Sequence, residues 1–520
     1  MAETEAVSAK SRYEQLAQDR QPYLDRARNC AKLTIPSLFP PAGSSGTSAF
    51  TTPEQGMGAR GVNNVASKLL LALFPPNSPF FKMAVDEITA GELTKQEGMK
   101  DEVDKALGMF VRRVMSDVEA RALRADLYEY FRHLVVAGNG TLYVPETGRA
   151  RFFRLDKYVA RRDPEGTLLE WIGKEQIDRA ALPEEIAGKI PEGADSTSGT
   201  DNSSRETVDL YTCALLNDEG SYDVYQEAGG EMIPGTEGTY DPDVLPFIVG
   251  RFIKVDGEHY GRGHTEEYLG DLVALESFTK SIREFVAIAS RINPVIDPAS
   301  SIRPKQLQNA ENGEVLSGEQ GSVWYLQVER YNDFRVAKEM VNSLMESLSF
   351  AYMLNTAIQR PGERVTAEEI RYMARELEDT LGGVYSVQAV DLQLPLARIL
   401  IDGLSRRGLL PELPREIVEP HVVTGMDALG RGNDLSNLLQ WKAVLADTPA
   451  AADVNWANFA SRAANSLNVE TTGLIYTPEE KAQMQAAAQQ QQMIEALGPQ
   501  AVAQMGGIAK TAMQQETPTE

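Results

Sequence analysis

Between residues 266 and 381, apolar side chains recur every three or four positions in three separate runs, and the gaps between runs hold residues that stop helices. Leu269, Leu272, Val273, Ile282, Phe285, Val286, Ala289 and Ile292 predict a first helix over 266–292. Pro294, Pro298 and Pro304 then end it, since a proline ring lacks the donor and clashes with the preceding turn. An insert follows with two strand-like stretches, EVLSG and SVWYLQVE. The helical period returns over 333–355, where Val336, Met340, Val341, Leu344, Leu348 and Ala351 share one side. A helix of ~25 residues reaches ~40 Å. One chain gains little from struts of that length, whereas parallel struts from several copies closing into a ring would make a wall.

The last gap is a loop, within NTAIQRPGERVTAEEIRYMARELEDTLGG at 355–383. Pro361 drives Arg360 toward extended backbone, and Gly362 frees the chain. The restart is firmly marked: Thr366 as N-cap and Glu369 make a capping box, with Val365 and Ile370 placed as a hydrophobic staple. Ile370, Met373, Ala374, Leu377 and Leu381 line the next helix. A loop held at a rigid helix end stands outward. This one carries Arg360 and Arg364 in a chain with 51 Lys+Arg against 75 Asp+Glu.

The net charge of −24 and a pI near 4.8 argue against a surface that wraps nucleic acid by bulk positive charge, so any DNA contact has to be local or deliberately weak. A length of 520 residues predicts about three compact units. Cys30 and Cys213 stand far apart with no zinc or disulfide spacing, which suits a reducing compartment. His133, His259, His264 and His421 form no HExxH pattern. No signal-peptide pattern opens the chain, and LLLALF at 69–74 is far short of the ~20 residues a bilayer span needs. The expectation is a protein made and kept in the cytoplasm, or in something assembled there, without membrane contact.

Elsewhere, helices are predicted over 11–33, over a stripe of Val62, Val65, Ala66, Leu69, Leu70 and Leu73, and over 95–133. From 135 to 254 the pattern turns to short strands: TLYVP, RFFRL, LLEWIG, VDLYTCALL, SYDVYQ and PFIVGRFIK, with a polar excursion at 193–204. Past Pro411 and Pro414 come two or three helices, then an Ala-, Gln- and Met-rich end of weak amphipathy. The fold class is α+β, mainly helical.

Motifs for catalysis are weak. VVAGNGTLY at 135–143 reads as a β-turn rather than a dinucleotide loop, because strand residues follow it. GARG and GRGH read as glycine-bearing bends with no phosphate-loop Lys-Ser/Thr after them. RELEDTL gathers Glu376, Glu378 and Asp379 as a solvated face or an ion site. HTEEYLGDL sets His264, Glu267 and Asp271 within reach of a metal reading, but acids in a first helical turn are the plainer account. No catalytic residue, metal or cofactor is inferred.

RARNCAKLTIPSLFPP, GARGVNNVASKLLLALFP, YGRGHTEEYLGDLVALE, RPGERVTAEEIRYMARELEDTLGGVYS and LGRGNDLS closely resemble, in this order, the portal protein family, the head-to-tail connectors of short-tailed bacteriophages. The likeness runs over about 11–475. It implies a portal fold assembled as a ring, usually of twelve subunits, at one capsid vertex. The implied parts are a wing over 1–265 (β-rich from about 135), stem helices over 266–292 and 333–355, and a clip over 293–332 between them. A channel loop over 356–365, a wing long helix and return over 366–414, a crown over 415–475, and a C-terminal helical barrel or flexible tail over 476–520 complete it. The resemblance also implies a virion component at the head–tail vertex, assembled in the host cytoplasm, that passes double-stranded DNA without sequence preference in packaging and ejection. Its partners would be the packaging motor (terminase), tail adaptor proteins, and capsid and scaffold proteins.

On this reading Arg360, Arg364 and Gln359 meet DNA phosphates, and Pro361 and Gly362 are the loop's hinge. The alternative for either arginine is an ion pair with Glu363 or a neighbouring copy's acid. Trp324, Tyr325, Arg303 and Lys305 would dock partners from the clip, or the two aromatics would be clip core. Two other classes stay open: a scaffold or capsid ring without a DNA-channel role, and a DNA-processing enzyme, which would need a metal or nucleotide site that no motif supplies.

Overall fold

Helical period in the sequence becomes helix in nearly every place described. In this computed structural model, residues 8–411 are described apart from 42–43, 45–47, 77–78, 86–98, 190–206, 290–293, 300–301, 312–313, 316–318, 326–330, 355–375, 378–379 and 382; so are 418–422, 439–444 and positions 454, 456, 459, 460 and 463. Helices α1 (Ala9–Lys32) and α2 (Met57–Leu73) form over the first two runs. All the stripe residues of α2 are buried except the half-buried Leu70. GARG is not a bend: it forms the first turns of α2, where a Cβ on Gly61 would lie 2.4 Å from Cγ of Tyr352.

After strand β1 (Phe81–Val85), the helix expected over 95–133 is two, α3 (Met99–Ala120) and α4 (Leu123–Ala137). Ala122 between them takes a left-handed backbone, φ 53°, which interrupts helical hydrogen bonding. At the end of α4, Gly138 (φ 72°) donates its N–H to the Leu134 carbonyl at 2.8 Å. GNG is therefore a helix C-cap running straight into a strand, neither a β-turn nor a dinucleotide loop.

Strands β2 (Asn139–Tyr143), β3 (Arg151–Phe153), β4 (Tyr158–Arg162), β5 (Leu168–Asp178), β6 (Thr207–Leu216), β7 (Tyr222–Ala228), β8 (Glu231–Met232), β9 (Gly238–Tyr240) and β10 (Phe247–Arg251) form two antiparallel sheets. One has the order β10-β2-β3; the other runs β4-β5-β6-β7-β8, with β9 also on β7. Trp171 on β5 joins them. Its ring stacks on Phe247 at 4.2 Å, and its Nε1–H donates to Thr141 Oγ1 at 3.1 Å. Helix α1 covers the larger sheet, with Tyr13 and Leu16 on Val159, Ile172, Tyr211 and Cys213. Arg12 pins it by donating to buried Glu170 at 2.9 and 2.7 Å. The Glu227 carboxylate accepts the Ala9 N–H at 3.0 Å, a negative charge where the helix dipole favours one.

Helix α5 (Leu269–Ala289) follows a separate turn at His264–Glu267, and α6 (Tyr331–Ala351) returns beside it, with Phe285 stacked on Phe334 at 5.0 Å. Between them, β11 (Pro294–Ile296) pairs antiparallel with β12 (Val323–Tyr325). Further on, a helical turn at Val384–Gln388 and a π turn at Ala389–Gln393 lead into α7 (Leu394–Arg406). Gln388 and Gln393, five positions apart at π spacing, both turn inward. Gln388 Nε2 donates to the Arg251 carbonyl at 2.7 Å, and Gln393 donates to the Leu73 carbonyl. Strand β13 (Val418–Val422) pairs antiparallel with β1.

One continuous core joins the N-terminal helices to both sheets and α7. Residues Met1–Ala428 therefore form one unit and Leu429–Glu520 a second, where length alone predicted about three. In the second unit, residues 439–444 are helical and expose Trp441, whose ring stacks with Phe459 at 6.4 Å.

Candidate interaction surfaces

The α5–α6 pair leaves several large apolar side chains exposed. On α5 only Leu272 and Leu275 are buried, among the described side chains, and Val286 (50%) and Ile288 (58%) stay exposed. The stripe expected on α6 divides. Leu348 and Ala351 are buried and Val341 and Leu344 half-buried, but Val336 (61%) and Met340 (50%) face solvent. Apolar groups exposed side by side along two helices are the kind of surface on which chains associate.

The near end of this pair is tied down by polar groups. Asn64 on α2 donates to the Tyr352 and Met353 carbonyls at 2.9 Å each. Lys68, one turn on, donates to the Met353 carbonyl at 2.9 Å and to the Glu376 carboxylate at 2.8 Å. Glu376 is thus ion-paired with Lys68, a role outside the two readings of RELEDTL. Met353 itself has φ 53°. On α5, Glu276 accepts the N–H groups of Glu54 (2.9 Å) and Gln55 (3.2 Å) just ahead of α2, and Arg283 pairs with Glu54.

The metal reading of HTEEYLGDL does not hold. His264 is buried, its Nε2 3.0 Å from the Ala351 carbonyl; a carbonyl only accepts, so Nε2 carries the hydrogen. Its ring sits edge-on to Tyr352 at 5.5 Å, and burial holds its pKa below the ordinary histidine value. Among the described residues no group of three or more His, Cys, Asp and Glu is placed to hold a metal, and no helix is long and apolar enough to cross a membrane. GRGH is not the expected bend either: Arg262 bridges antiparallel to Ile253, and Gly263 is extended (φ −87°, ψ 150°) directly ahead of the turn at His264. Gly263 there approaches the α4 backbone so closely that a Cβ would meet the Val136 oxygen at 2.6 Å.

Gln359, Arg360, Pro361, Gly362 and Arg364 lie outside the described residues, as do the capping residues Thr366 and Glu369. Description resumes at Glu376, and Leu377 and Leu381 of the expected face are buried. In the insert, Trp324 stands opposite Val295 and is 48% exposed, and Tyr325 stands opposite Pro294. Arg303 and Lys305 are exposed, beside and within the short helix Pro304–Asn309. The strand expected from EVLSG is not seen at Glu314 and Val315. The sequence reading missed Asn64, Lys68 and Glu276. A signal for Lys68 existed: it is the one charge inside the apolar run VASKLLLAL.

A family model described as bacteriophage head to tail connecting protein matches residues 6–475. The portal protein of Escherichia phage T7 is 43% identical over 514 residues, covering 97% of this chain and 94% of that one. The portal protein of Enterobacteria phage T3 is 42% identical, covering 92% and 91%; that of Enterobacteria phage SP6 is 31% identical, covering 93% of each. A chain of a solved structure described as "Neck of empty GTA particle computed with C6 symmetry" aligns over 76% of this chain and 87% of its own, at 12% identity and a TM-score of 0.35.

Proposed function

This chain belongs to the bacteriophage head-to-tail connecting family, the portal proteins of short-tailed phages, and on that premise we propose that its copies close into a ring, of twelve, that conducts double-stranded DNA through one capsid vertex. The observation that carries the ring is the outward apolar surface of α5 and α6, with Val336, Met340 and Ile288 half or more exposed in the single subunit. In the ring these two helices are the stem and the β11–β12 insert is the clip. The wing is 1–265 with its return over 366–414, and the crown and barrel follow from 415.

DNA carries one charge per ~1.7 Å of axis, so a conduit meets phosphates first. A passage that lets the duplex slide must not grip it. A wall drawn from a chain with net charge −24 repels DNA, and screening confines that repulsion to about 8 Å at physiological salt. Arg360 and Arg364, with Gln359, form a narrow belt that touches phosphates without reading bases, and Pro361 and Gly362 give the belt its hinge. Trp324, with Tyr325, Arg303 and Lys305, faces the packaging motor and later the tail adaptor proteins, since exposed aromatics dominate interface energetics. The energy for translocation comes from the separate motor. The ring stands in the virion at the head–tail junction after assembly in the host.

Negative-stain images of the purified protein are expected to show annular particles with a central hole; shells or monomers would overturn the ring. Arg360→Ala with Arg364→Ala is expected to leave rings intact and lower the DNA retained per virion. Unchanged genome content would remove the belt and favour a capsid ring without a DNA contact.

A further inference from the structure

Lys68 is a charged side chain in a helix face otherwise given to the core, and only 8% of it is exposed. A buried ammonium is tolerable when each of its donors is used. Here two hydrogen bonds reach two pieces of chain at once: the Met353 carbonyl just past α6 and the Glu376 carboxylate where the next helix is described. Those two groups flank the segment that carries Arg360 and Arg364, and one nitrogen holds them within two hydrogen-bond lengths of each other. Asn64 donates to the carbonyls of Tyr352 and Met353, and the bare backbone at Gly61 admits the Tyr352 ring. The N-terminal approach to α2 is bound in turn to α5 through Glu276. Helix α2 is thus a crossbar to both stem helices, with Lys68 as its fastening.

We propose that Lys68 is a positioning residue that fastens to α2 the chain on either side of the arginine-bearing segment, at Met353 and at Glu376. This rests on the reading of Arg360 and Arg364 as the DNA contact. The test uses full-length rings with Lys68→Met, which keeps the packing and removes the donors. Amide exchange in peptides over 347–354 and 376–381 is expected to rise about tenfold, the factor of about 1.4 kcal/mol in local stability. Peptides of β5 and β6 should not change. In virions, Lys68→Met is expected to lower retained DNA, and adding it to Arg360→Ala/Arg364→Ala should lower retention no further. Lys68→Arg should recover most of the loss.

Unchanged exchange in Lys68→Met, or losses that add in the triple variant, would overturn the clamp. If the arginine variant alone retains DNA normally, the belt reading fails, while the exchange measurement still decides the clamp. Should Lys68→Met not assemble, Glu376→Gln leaves the ammonium its carbonyl partner and must still speed exchange at 347–354 and 376–381; without that rise the clamp is refuted.

Discussion

Val336→Gln with Met340→Gln tests the proposed stem surface directly. The two residues are one helical turn apart on α6, 61% and 50% exposed. Full burial of a Val or Met side chain yields about 1.5–3 kcal/mol. Half to three-fifths of that remains to be gained on assembly, about 1–1.5 kcal/mol each and about 2–3 kcal/mol per subunit contact. At tenfold per 1.4 kcal/mol, each contact weakens by roughly 30- to 100-fold. Glutamine keeps the helix propensity, and substitution at exposed positions changes subunit stability by about 0.5 kcal/mol or less. Mass photometry over a dilution series is expected to show rings giving way to smaller species at protein concentrations where the unsubstituted chain stays annular. Circular dichroism melting of the subunit should not move. An identical ring population across the series, with both glutamines in place, would refute the assignment of this face to assembly.

Gly61→Ala places a Cβ 2.4 Å from a fully buried ring. Overpacking costs about 1–3 kcal/mol and the helix gains at most about 1 kcal/mol from alanine, so urea midpoints should fall; a gain in stability would show that the contact yields freely. His133 and His264 both have pKa values held down by burial, each partly opposed by a hydrogen-bond partner. The folded state therefore binds fewer protons than the unfolded one. The stability is full above the unfolded histidine pKa of about 6.5 and is lost as pH falls below it, by at most about 1.4 kcal/mol per pH unit per histidine. His264→Gln, whose amide can still donate to Ala351, should flatten that slope in urea titrations at pH 5 and 7.5; an unchanged slope would remove His264 from it. Burial pushes the Cys30 and Cys213 thiols up to about 12, so a disulfide reagent at pH 8 should label neither until guanidinium is added. Rapid labelling of the native protein would contradict their burial.

Local pattern made most of the helices legible. The α2 stripe is buried almost as its period demanded, and the chain is strand rather than helix from Pro294. Where the sequence misled, a single backbone angle or a remote partner decided. Nothing in Ala122 advertises a left-handed conformation, yet it splits one helix into two. GARG carries two glycines and still is helix, because Tyr352 and the Leu33 carbonyl need the space that side chains would fill. The outward surface of α6 was half legible: the apolar stripe was found, but periodicity cannot tell a side facing α5 from a side facing solvent. The polar fastenings Asn64, Lys68 and Glu276 depend on chain segments hundreds of positions away, and short-range reasoning has no access to such pairs.

The pairing of β1 with β13, Phe81 opposite Val422, bears on how the protein is born. On the ribosome, β1 emerges early and waits with its hydrogen-bonding edge bare until nearly the whole first unit has been made. Closing so wide a loop is slow, and a naked strand edge can recruit the wrong neighbour meanwhile. A nascent chain stalled or cut before Val418 would carry that sticky edge permanently, so unfinished copies would tend to clump with one another instead of entering the particle.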